Sequence, residues 1–369
     1  MLKFSCEKAL LQNAVSIASR AVASKSSISA LEGILLEGDQ VLTLTGYNMQ
    51  TGIRTSFDAQ ITESGRIVLN AKLLGDIIRR MPDDVIVFSA ADSLVVNLTC
   101  GDASFDIIGL SADDYPEMPE VDDEYTMTMQ QGSLKEMIAQ TAFAVSTNES
   151  RPVHTGSLFE VDENVLTVVS VDGFRLALRR EKTEKIQGGA FQFVAPGNAL
   201  KEVENICSAG EDPIEITRGK RHLLFSCGDT QLICRRLEGE FLDYKNAIPH
   251  NCPIVLEVEN KALLESLDRV SVVISEKLKS PVRCVFQDGR VLLSAKTGNG
   301  EAKDICMISG DGRDLEIGFN NRYLMDALRY APAEKVAMEL NSGVTPCLIT
   351  PVDGGDNFLY MVLPVRLKA

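Results

Sequence analysis

The stretch LKFSCEKALLQNAVSIASRAV, residues 2–22, joins a strand-like start to a pattern that predicts an amphipathic helix. Apolar residues recur there at steps of four, three and four, the spacing of one helix face. The pattern returns in residues 126–146 and again in 255–275. A period of about 125 residues is too long for a solenoid repeat and suits a domain. The three stripes are Leu10, Ala14, Ile17 and Ala21, then Leu134, Ile138, Thr141 and Val145, then Leu263, Leu267, Val270 and Ile274.

Each third of the chain then continues with the same succession of signals. Alternating runs on either side of GDQ, DEN and QDGR predict hairpins at residues 32–57, 155–180 and 281–306. A short strand and a second helix follow at residues 65–81, 191–207 and 315–331, and Asn70 and Asn320 are candidate N-caps. The predicted buried pairs on these helices are Leu74 with Ile77, Leu200 with Val203, and Leu324 with Ala327.

This order predicts an α+β fold of three tandem domains, each made of two βαβββ halves. The expected bounds are 1–124, 125–250 and 251–369, with the Pro-containing segments 111–126 and 242–253 at the boundaries. The acidic segment 111–126 is interpreted as a solvated linker. Repeated domains joined edge to edge can curve into a closed ring. Two chains of three domains would then place their helices around a wide central hole.

The amino-acid composition limits the classes of protein to which this chain can belong. With 45% hydrophobic and 24% charged residues, the 369-residue chain is typical of a soluble globular protein. No apolar run is long enough to span a membrane, and no signal peptide is expected at the start. The nine cysteines are scattered through apolar runs, which predicts reduced core residues in a cytoplasmic protein. A net charge of −15 argues, as an average, against non-specific nucleic-acid binding.

The sequence carries few residues arranged for catalysis. His154, His222 and His250 are far apart, no CxxC pair occurs, and the glycine-containing turns lack dinucleotide or phosphate-loop spacing. We therefore expect no catalytic site, no metal and no cofactor in this chain. One alternative is a metal site where Asp113, Asp114, Glu117 and Glu120 crowd together, although no turn glycine at calcium-loop spacing accompanies them.

Four segments in order carry a resemblance to a known family. They are ESRPVHTGSLFE at 149–160, VVSVDGFRLALRR at 168–180, RRLEGEFLDYKNAIP at 235–249 and YMVLPVRL at 360–367. Along its whole length the chain resembles the bacterial DNA polymerase III beta subunits, the beta sliding clamps. The resemblance implies a head-to-tail homodimeric ring around duplex DNA, with helices lining the hole and sheets outside. It also implies that the ring hydrolyses nothing and acts as a processivity factor, located in the cytoplasm and associated with the nucleoid.

The resemblance also implies partners and a way to accommodate the acidic charge. The expected partners are the alpha subunit of the replicative polymerase, the clamp-loader complex, and other polymerases and repair proteins that bind through linear motifs; no membrane is involved. Basic residues on or beside the helices would face DNA without reading its sequence. The candidates are Lys25, Arg79, Arg80, Lys201, Lys277, Lys279 and Arg322.

A partner-peptide groove between the second and third domains is implied as well. Leu242, Leu363, Val365, His154 and Phe174 depart from side chains common in the family, which predicts altered preference in a groove that stays apolar. An alternative for the tail is an edge strand that Pro364 stops from pairing further. The implied groove residues are Arg151, His154, Val171, Gly173, Phe174, Arg175, Leu176, Leu242, Asn246, Ala247, Asn320, Tyr323, Val344, Pro346, Met361, Leu363, Pro364, Val365 and Arg366.

For the dimer seam, the resemblance places Phe105 and Ile107 of one chain against Val273 and Ile274 of the other. Two other classes of protein remain as alternatives. A peptide-binding scaffold built from repeats would form no ring and have no basic inner face. An enzyme acting at the acidic loop would need a metal and would lose activity without Asp113 and Asp114.

Overall fold

A computed structural model describes residues 1–122, 124–274 and 280–367. The chain divides into two compact units. The first unit holds residues 1–132, 184–189 and 202–236, and the second holds 133–183, 190–201 and 237–369. The middle third of the sequence is therefore shared between the units.

Seven α-helices occur in the described residues, and six of them fall where the repeat predicts two per third. The seventh is a single turn in the segment that precedes the last third. The helices are α1 Lys8–Ala18, α2 Ala71–Arg80, α3 Gln131–Ala139, α4 Gly197–Ile206, α5 Tyr244–Ala247, α6 Asn260–Ser271 and α7 Asn321–Tyr330.

In the described residues, one strand precedes the first helix of each third and further strands follow the helices in groups, as predicted. In the first third they are β1 Leu2–Glu7, β2 Gly33–Gly38, β3 Leu42–Tyr47, β4 Thr51–Phe57, β5 Gln60–Glu63, β6 Gly65–Asn70, β7 Val85–Ala90, β8 Val95–Cys100 and β9 Ala103–Ile108. In the second they are β10 Tyr125–Gln130, β11 Gly156–Asp162, β12 Val165–Val171, β13 Arg175–Lys182, β14 Lys185–Gln187, β15 Phe191–Pro196, β16 Pro213–Arg218, β17 His222–Cys227 and β18 Thr230–Arg235. In the third they are β19 Ile254–Glu259, β20 Val282–Thr297, β21 Gly300–Phe319, β22 Lys335–Leu340, β23 Cys347–Pro351, β24 Phe358–Val362 and β25 Pro364–Val365.

The apolar stripe that begins each third is buried, with one correction. Leu134, Ile138 and Thr141 are buried, as are Leu263, Leu267 and Val270. In α1, however, the buried residues are Leu11, Ala14, Val15 and Ala18, while Leu10 is 43% exposed. KALLQNAVSIA has apolar residues on two neighbouring rows, so its 3.6-residue period fits either face. The packing of the helix on the sheet decides between them.

The second helices agree with the prediction at their starts and on their buried sides. The Asn70 side chain accepts a hydrogen bond from Leu73 N at 3.0 Å, which caps α2. Asn320 likewise accepts from Arg322 N and Tyr323 N at the start of α7. All three predicted apolar pairs on α2, α4 and α7 are buried.

Two sheets continue across the thirds of the sequence. In the first unit, β18 of the second third pairs with β4 of the first and completes a nine-stranded sheet. In the second unit, β24 of the third third pairs with β13 of the second and completes an eleven-stranded sheet. The remaining sheet has five strands and ends at β9. Successive thirds are thus joined by backbone hydrogen bonds between equivalent strands.

The hairpin prediction holds for GDQ and DEN, and QDGR lies where β20 changes its partner residues in β21. Residues 287–290 lie inside β20, where the ladder to β21 shifts register on both sides of Asp288. Val282–Phe286 pairs with 315–319, and 290–297 pairs with 300–307. Gly289 has φ +70° there, the left-handed conformation that glycine adopts without strain. Pairing therefore changes at this segment, in the same way that β11 pairs with β15 and β12 pairs with β13 in the second third.

Both segments proposed as boundaries contain buried residues, which a fully solvated linker would not. Ala112 and Tyr115 are buried in a small apolar cluster, and the Tyr115 hydroxyl donates to Thr45 O at 3.0 Å. Tyr244 in the other segment is also buried. Eight of the nine cysteine side chains are buried, as expected of core residues.

Candidate functional site

A tight turn between β12 and β13 forms the centre of the predicted groove. The Asp172 carboxylate accepts hydrogen bonds from Phe174 N at 2.9 Å and Arg175 N at 3.0 Å, an Asx-turn. Gly173 has φ +88°, and a Cβ at this position would contact nothing within 4 Å. The turn therefore needs glycine for its backbone conformation, and it leaves the Phe174 side chain 60% exposed.

Arg175 lies beneath this turn as a buried cation. Its Nε is 2.9 Å from Asp172 Oδ2 and its Nη1 is 2.6 Å from Asp326 Oδ2, and the residue is 8% exposed. The guanidinium also lies 4.4 Å from the centre of the Tyr323 ring. A buried charge is tolerated when it is paired and hydrogen-bonded. The two carboxylates and the ring meet that requirement and hold the arginine in one place.

Stacked side chains continue outward from Arg175. The Phe174 ring stacks on the Tyr323 ring with 6.0 Å between centroids, and Tyr323 covers the guanidinium. On the other side of Arg175, the Phe143 ring centre is 5.3 Å from the guanidinium carbon. Because Tyr323 follows the Asn320 cap of α7, the start of that helix sets the position of the exposed aromatic surface.

An apolar cluster of the second unit contains three of the predicted groove residues. Val171, Leu176 and Met361 are nearly fully buried, so they form the base of the site rather than its surface. Sequence reasoning missed other members of this cluster because their apolar side chains look like ordinary core. The missed members are Val153, Leu158, Val169, Leu178, Val194, Tyr244 and Leu348.

The last strands tie the tail to the same turn. Leu176 lies opposite Met361 in the β13–β24 ladder, and Leu363 N donates to Phe174 O at 2.9 Å. Pro364 then lies opposite Phe319 in the β25–β21 pair. The alternative of an edge strand stopped by Pro364 is wrong. β24 has strands on both sides, and pairing resumes at the proline.

A loop with one helical turn, α5, borders the cluster. The Tyr244 hydroxyl donates to Glu160 Oε2 at 2.5 Å, and Lys245 Nζ lies 2.9 Å from Glu160 Oε1. Asn246 donates to Asp243 Oδ2 at 2.6 Å, which engages its amide group. Leu242 is 42% exposed and Ala247 is half-buried. These contacts fix the loop against β11.

His154 is half-buried against an aromatic ring. Its imidazole makes an edge contact with Phe241 at 5.3 Å, and its Nε2 is buried without a hydrogen-bond partner among the described residues. Burial, with a smaller contribution from the Arg151 charge, lowers the His154 pKa below its usual value. The side chain is therefore neutral at physiological pH.

The remaining predicted groove residues lie on the surface of the second unit. Arg151 and Arg366 are exposed, Val344 is 76% exposed and Val365 is 36% exposed. Pro346, Leu363 and Pro364 are half-buried. The site thus combines a buried apolar base, an exposed aromatic pair and exposed arginines.

The predicted basic residues are exposed wherever the structure describes them. Arg79 and Arg80 end α2 and share Asp76, whose pKa is lowered chiefly by the Arg80 hydrogen bond. Lys201 lies on α4, and Arg322 lies on α7 with its side chain 79% exposed. Lys25 lies in a loop after α1. Lys277 and Lys279 lie outside the described residues.

Further exposed basic residues on the helices were missed. Lys72 on α2 is exposed, Lys261 on α6 has a side chain 88% exposed, and Arg329 on α7 has one 53% exposed. Lys72 and Arg79 also line a cleft of about 660 Å³ between α1 and α2. Their spacing, which places them on exposed helix faces, was the sequence signal that could have identified them.

The predicted seam residues are less exposed than their neighbours. Phe105 is half-buried and Ile107 is 9% exposed, whereas Ile108 at the end of β9 is 81% exposed. Val273 and Ile274 are half-buried and follow Val272, which is 83% exposed. Alternation along β9 accounts for the difference between Ile107 and Ile108.

The acidic segment does not form the alternative metal site in the described part of the chain. Residues 1–122, 124–274 and 280–367 contain no group of three His, Cys, Asp or Glu side chains placed to bind a metal. Asp113 instead pairs with Arg66 at 2.6 Å. None of the helices described is long and apolar enough to cross a membrane.

Comparison with known proteins accounts for the whole repeat. Three family models match in order: the N-terminal domain of the DNA polymerase III beta subunit at residues 2–119, its central domain at 128–243 and its C-terminal domain at 245–366. A beta sliding clamp from Synechocystis is 34% identical over 99% of this chain and 100% of its own length.

Solved structures agree with this comparison. A DNA polymerase III beta subunit from Eubacterium rectale matches with a TM-score of 0.94 and 31% identity, covering 100% of both chains. A DNA polymerase sliding clamp from Bacillus subtilis matches with a TM-score of 0.94 and 26% identity, again over 100% of both chains.

The repeated fold is therefore that of the DNA sliding clamps, three-domain proteins of the α+β class. Within that class, the chain belongs to the DNA polymerase III beta subunit family. Its function is that of a sliding clamp, a non-catalytic processivity factor whose partner subunits carry out DNA synthesis. The enzyme alternative is thereby set aside.

Proposed function

We propose that two copies of this chain close head to tail into a six-domain ring around duplex DNA. Each copy contributes domains at 1–124, 125–250 and 251–369. The ring tethers the polymerase alpha subunit, the clamp loader and other polymerases and repair proteins through the groove of the second unit. It works in the cytoplasm, on nucleoid DNA.

One observation supports the ring. Successive thirds are joined by strand pairs of the same type, and in the described part of the chain the equivalent strands of the first and last thirds each have one unpaired edge. β4 pairs with β18, and β13 pairs with β24, so each third offers one edge to the next. In the described residues, β9 and the 300–307 part of β21 are the equivalent edges, and neither has an outer strand partner. Unpaired edges favour pairing with another chain.

The side chains at these edges support a seam between copies. Ile108 is 81% exposed at the end of β9, and Ile305 and Met307 are 55% and 70% exposed on β21. Exposed apolar side chains on an unpaired strand favour association. Phe105 and Ile107 would support the β9 side from beneath, and Val273 and Ile274 would border the other side.

Light scattering after gel filtration tests the ring. The expected particle has twice 40.3 kDa at micromolar and at nanomolar concentration. Ile108→Asp should convert it to monomer, because a charge would be buried in the seam without a partner. Val41→Asp, at a 38% exposed position in the β2–β3 turn, is the matched control and should remain dimeric. A wild-type monomer at all concentrations would instead favour the peptide-binding scaffold.

The DNA contacts are proposed to be electrostatic and independent of sequence. Lys25, Arg79, Arg80, Lys201 and Arg322 would face the phosphates, with Lys277 and Lys279 as further candidates. Such contacts release counterions, so affinity falls with salt and each lost contact lowers the slope of that dependence. The net charge of −15 would keep DNA from the outer surface.

The groove is proposed to bind short linear peptides of the partners. Phe174 and Tyr323 provide an exposed aromatic surface above an apolar base, and Arg151 and Arg366 provide rim hydrogen bonds. Aromatic anchors of this kind carry most of the binding energy at interfaces. Leu242, Leu363 and Val365 keep the groove apolar.

Deletion of residues 363–369 tests the groove independently of the ring. The deletion removes the hydrogen bond to Phe174 O and the β25 pair, so stimulation of the polymerase on primed circular DNA should be lost. Light scattering should still give the dimer, since β9 and the 300–307 part of β21 are unchanged. A truncated protein that stimulates as well as the full chain would refute the groove.

A further inference from the structure

The Asp326 carboxylate lies near three arginines, although a single arginine would suffice to form an ion pair with it. This residue of α7 is 9% exposed, and its Oδ2 lies 2.6 Å from Arg175 Nη1. Its Oδ1 lies 3.5 Å from Arg329 Nη1, and Arg322 Nε lies 3.9 Å from Oδ2. One buried carboxylate is thus shared among three cations.

The three arginines belong to two different surfaces. Arg175 is 8% exposed and lies under the Tyr323 ring, which in turn carries Phe174 of the groove. Arg322 and Arg329 have side chains 79% and 53% exposed on α7. Arg322 is one of the residues proposed to face DNA, and Arg329 follows it two turns later on the same helix. The groove and the DNA-facing helix therefore meet at one carboxylate.

The geometry points to Asp326 as a positioning residue that couples DNA in the ring to the partner groove. The inference rests on the proposed function. When phosphates attract Arg322 and Arg329, Asp326 loses two competing cations and binds Arg175 more strongly. Arg175 then holds Tyr323 and Phe174 in the stacked arrangement that a partner peptide meets.

The coupling between DNA and peptide arises because the aromatic stack is held in place, and it needs no new contact between protein and peptide. A peptide that binds a stack already held in place loses less conformational freedom, so its affinity rises. Binding linkage is reciprocal, so the peptide must also raise the equilibrium affinity for DNA by the same factor. Arg322 and Arg329 are partly exposed, so we expect the peptide Kd to fall about two- to fivefold when DNA is bound.

Fluorescence anisotropy measures the coupling directly. The probe is a fluorescein-labelled synthetic peptide whose aliphatic and aromatic side chains suit the apolar base and the Phe174–Tyr323 pair, titrated with the dimer with and without a short blunt duplex at low salt. The wild type should bind the peptide more tightly with duplex. The double variant Arg322→Ala, Arg329→Ala should bind it equally tightly in both conditions, near the wild-type value with DNA.

Two further variants separate coupling from general effects. Arg79→Ala also removes a proposed DNA contact but does not touch Asp326, so it should keep the response to duplex. Asp326→Asn should weaken peptide binding and lose the response, and thermal melting reports whether that variant is folded. If Asp326→Asn is not folded, the double variant Arg322→Ala, Arg329→Ala tests the coupling by itself.

The outcomes distinguish this inference from the function on which it rests. A wild type that binds no peptide without DNA contradicts the groove, and one that binds no duplex contradicts the DNA role. If peptide and duplex both bind but the peptide Kd is unchanged by duplex, the coupling is refuted. The coupling is also refuted if the double variant responds to duplex as strongly as the wild type.

Discussion

Two turns of the molecule have the same backbone and different chemistry. Between β3 and β4, the Asn48 side chain accepts from Gln50 N at 3.0 Å and Thr51 N at 2.8 Å. Between β12 and β13, Asp172 accepts from Phe174 N and Arg175 N in the same way. Both central residues have positive φ. Duplication preserved the turn, and the two turns differ in the charge and exposure of the side chains placed on it.

The residues that follow the turns account for the difference. In the first turn, Gln50 is exposed and Thr51 is buried without a charge. In the second, the equivalent positions are Phe174, which stacks on Tyr323, and Arg175, which is buried between two carboxylates. An uncharged pair requires no further partners. The arginine requires Asp326 of α7 and thereby joins the turn to the last third of the chain.

The largest loss of stability is expected when Arg175 is replaced with threonine, the residue at the equivalent position of the first turn. Arg175→Thr removes the closest cation from Asp172 and Asp326, whose side chains are 13% and 12% exposed, and this should destabilise the fold by about 3–5 kcal/mol. Urea unfolding followed by circular dichroism measures this change. Arg180→Thr is the matched control on the same strand, where Arg180 and Asp356 have side chains 35% and 83% exposed and their ion pair contributes about 0–1 kcal/mol. Equal losses in the two variants would contradict the role assigned to Arg175.

Exchanging the exposed residue should separate binding from stability. Phe174→Gln, which copies Gln50, removes an aromatic anchor and should weaken peptide binding about tenfold or more. Because the side chain is 60% exposed, the free energy of unfolding should change by less than about 0.5 kcal/mol. Anisotropy and urea unfolding measure the two quantities. Wild-type affinity in this variant would exclude Phe174 from the groove.

The central residues of the two turns allow a test of backbone strain alone. Gly173→Ala places a Cβ in open space at φ +88°, so it should cost about 1 kcal/mol with no steric contribution. Met49 already occupies the left-handed region at φ +71°. Met49→Gly should stay within about 0.5 kcal/mol of wild type, since relief of strain is offset by greater freedom in the unfolded chain. Similar losses in both variants would indicate that the turns are not equivalent.

The smallest expected effect is the pH dependence contributed by two histidines, one in each unit. Burial, then nearby arginines, lower the pKa of His154 and of His222. The unfolded chain therefore binds protons more readily, and stability is lost as the pH falls below the ordinary histidine pKa of about 6.5. His154→Leu should reduce the fall in Tm between about pH 7.5 and pH 5.5. An unchanged fall in this variant and in His222→Leu would assign the pH dependence to other groups.

Much of the fold was predictable because it depends on local patterns that occur three times. The hydrophobic period predicts the helices, and alternation of apolar and polar residues predicts the strands. Asn70 and Asn320 predict two helix starts that the structure confirms. The face of α1 was predicted one row away from the observed one. Two local arrangements of α1 satisfy the same pattern, and packing selects between them.

The candidate site was less predictable from its residues alone. Arg175 and Tyr323 were named through resemblance, but nothing local indicates that Asp326 must lie beside them. Asp326 is 151 positions from Arg175 in the sequence, and an acidic residue on a helix ordinarily faces solvent. Leu178 and Leu348 were missed because apolar strand residues predict a core without indicating which surface lies above it.

The sequence by itself determined the repeat, the helices, most of the strands and the near absence of catalytic groupings, because these follow from composition and short-range periodicity. Tertiary structure alone decided which strands join successive thirds and which charges are buried together. Strand edges and carboxylates have the same local signature wherever they lie. Only long-range pairing of β13 with β24 brings α7 to the turn at Gly173 and makes Asp326 the partner of Arg175.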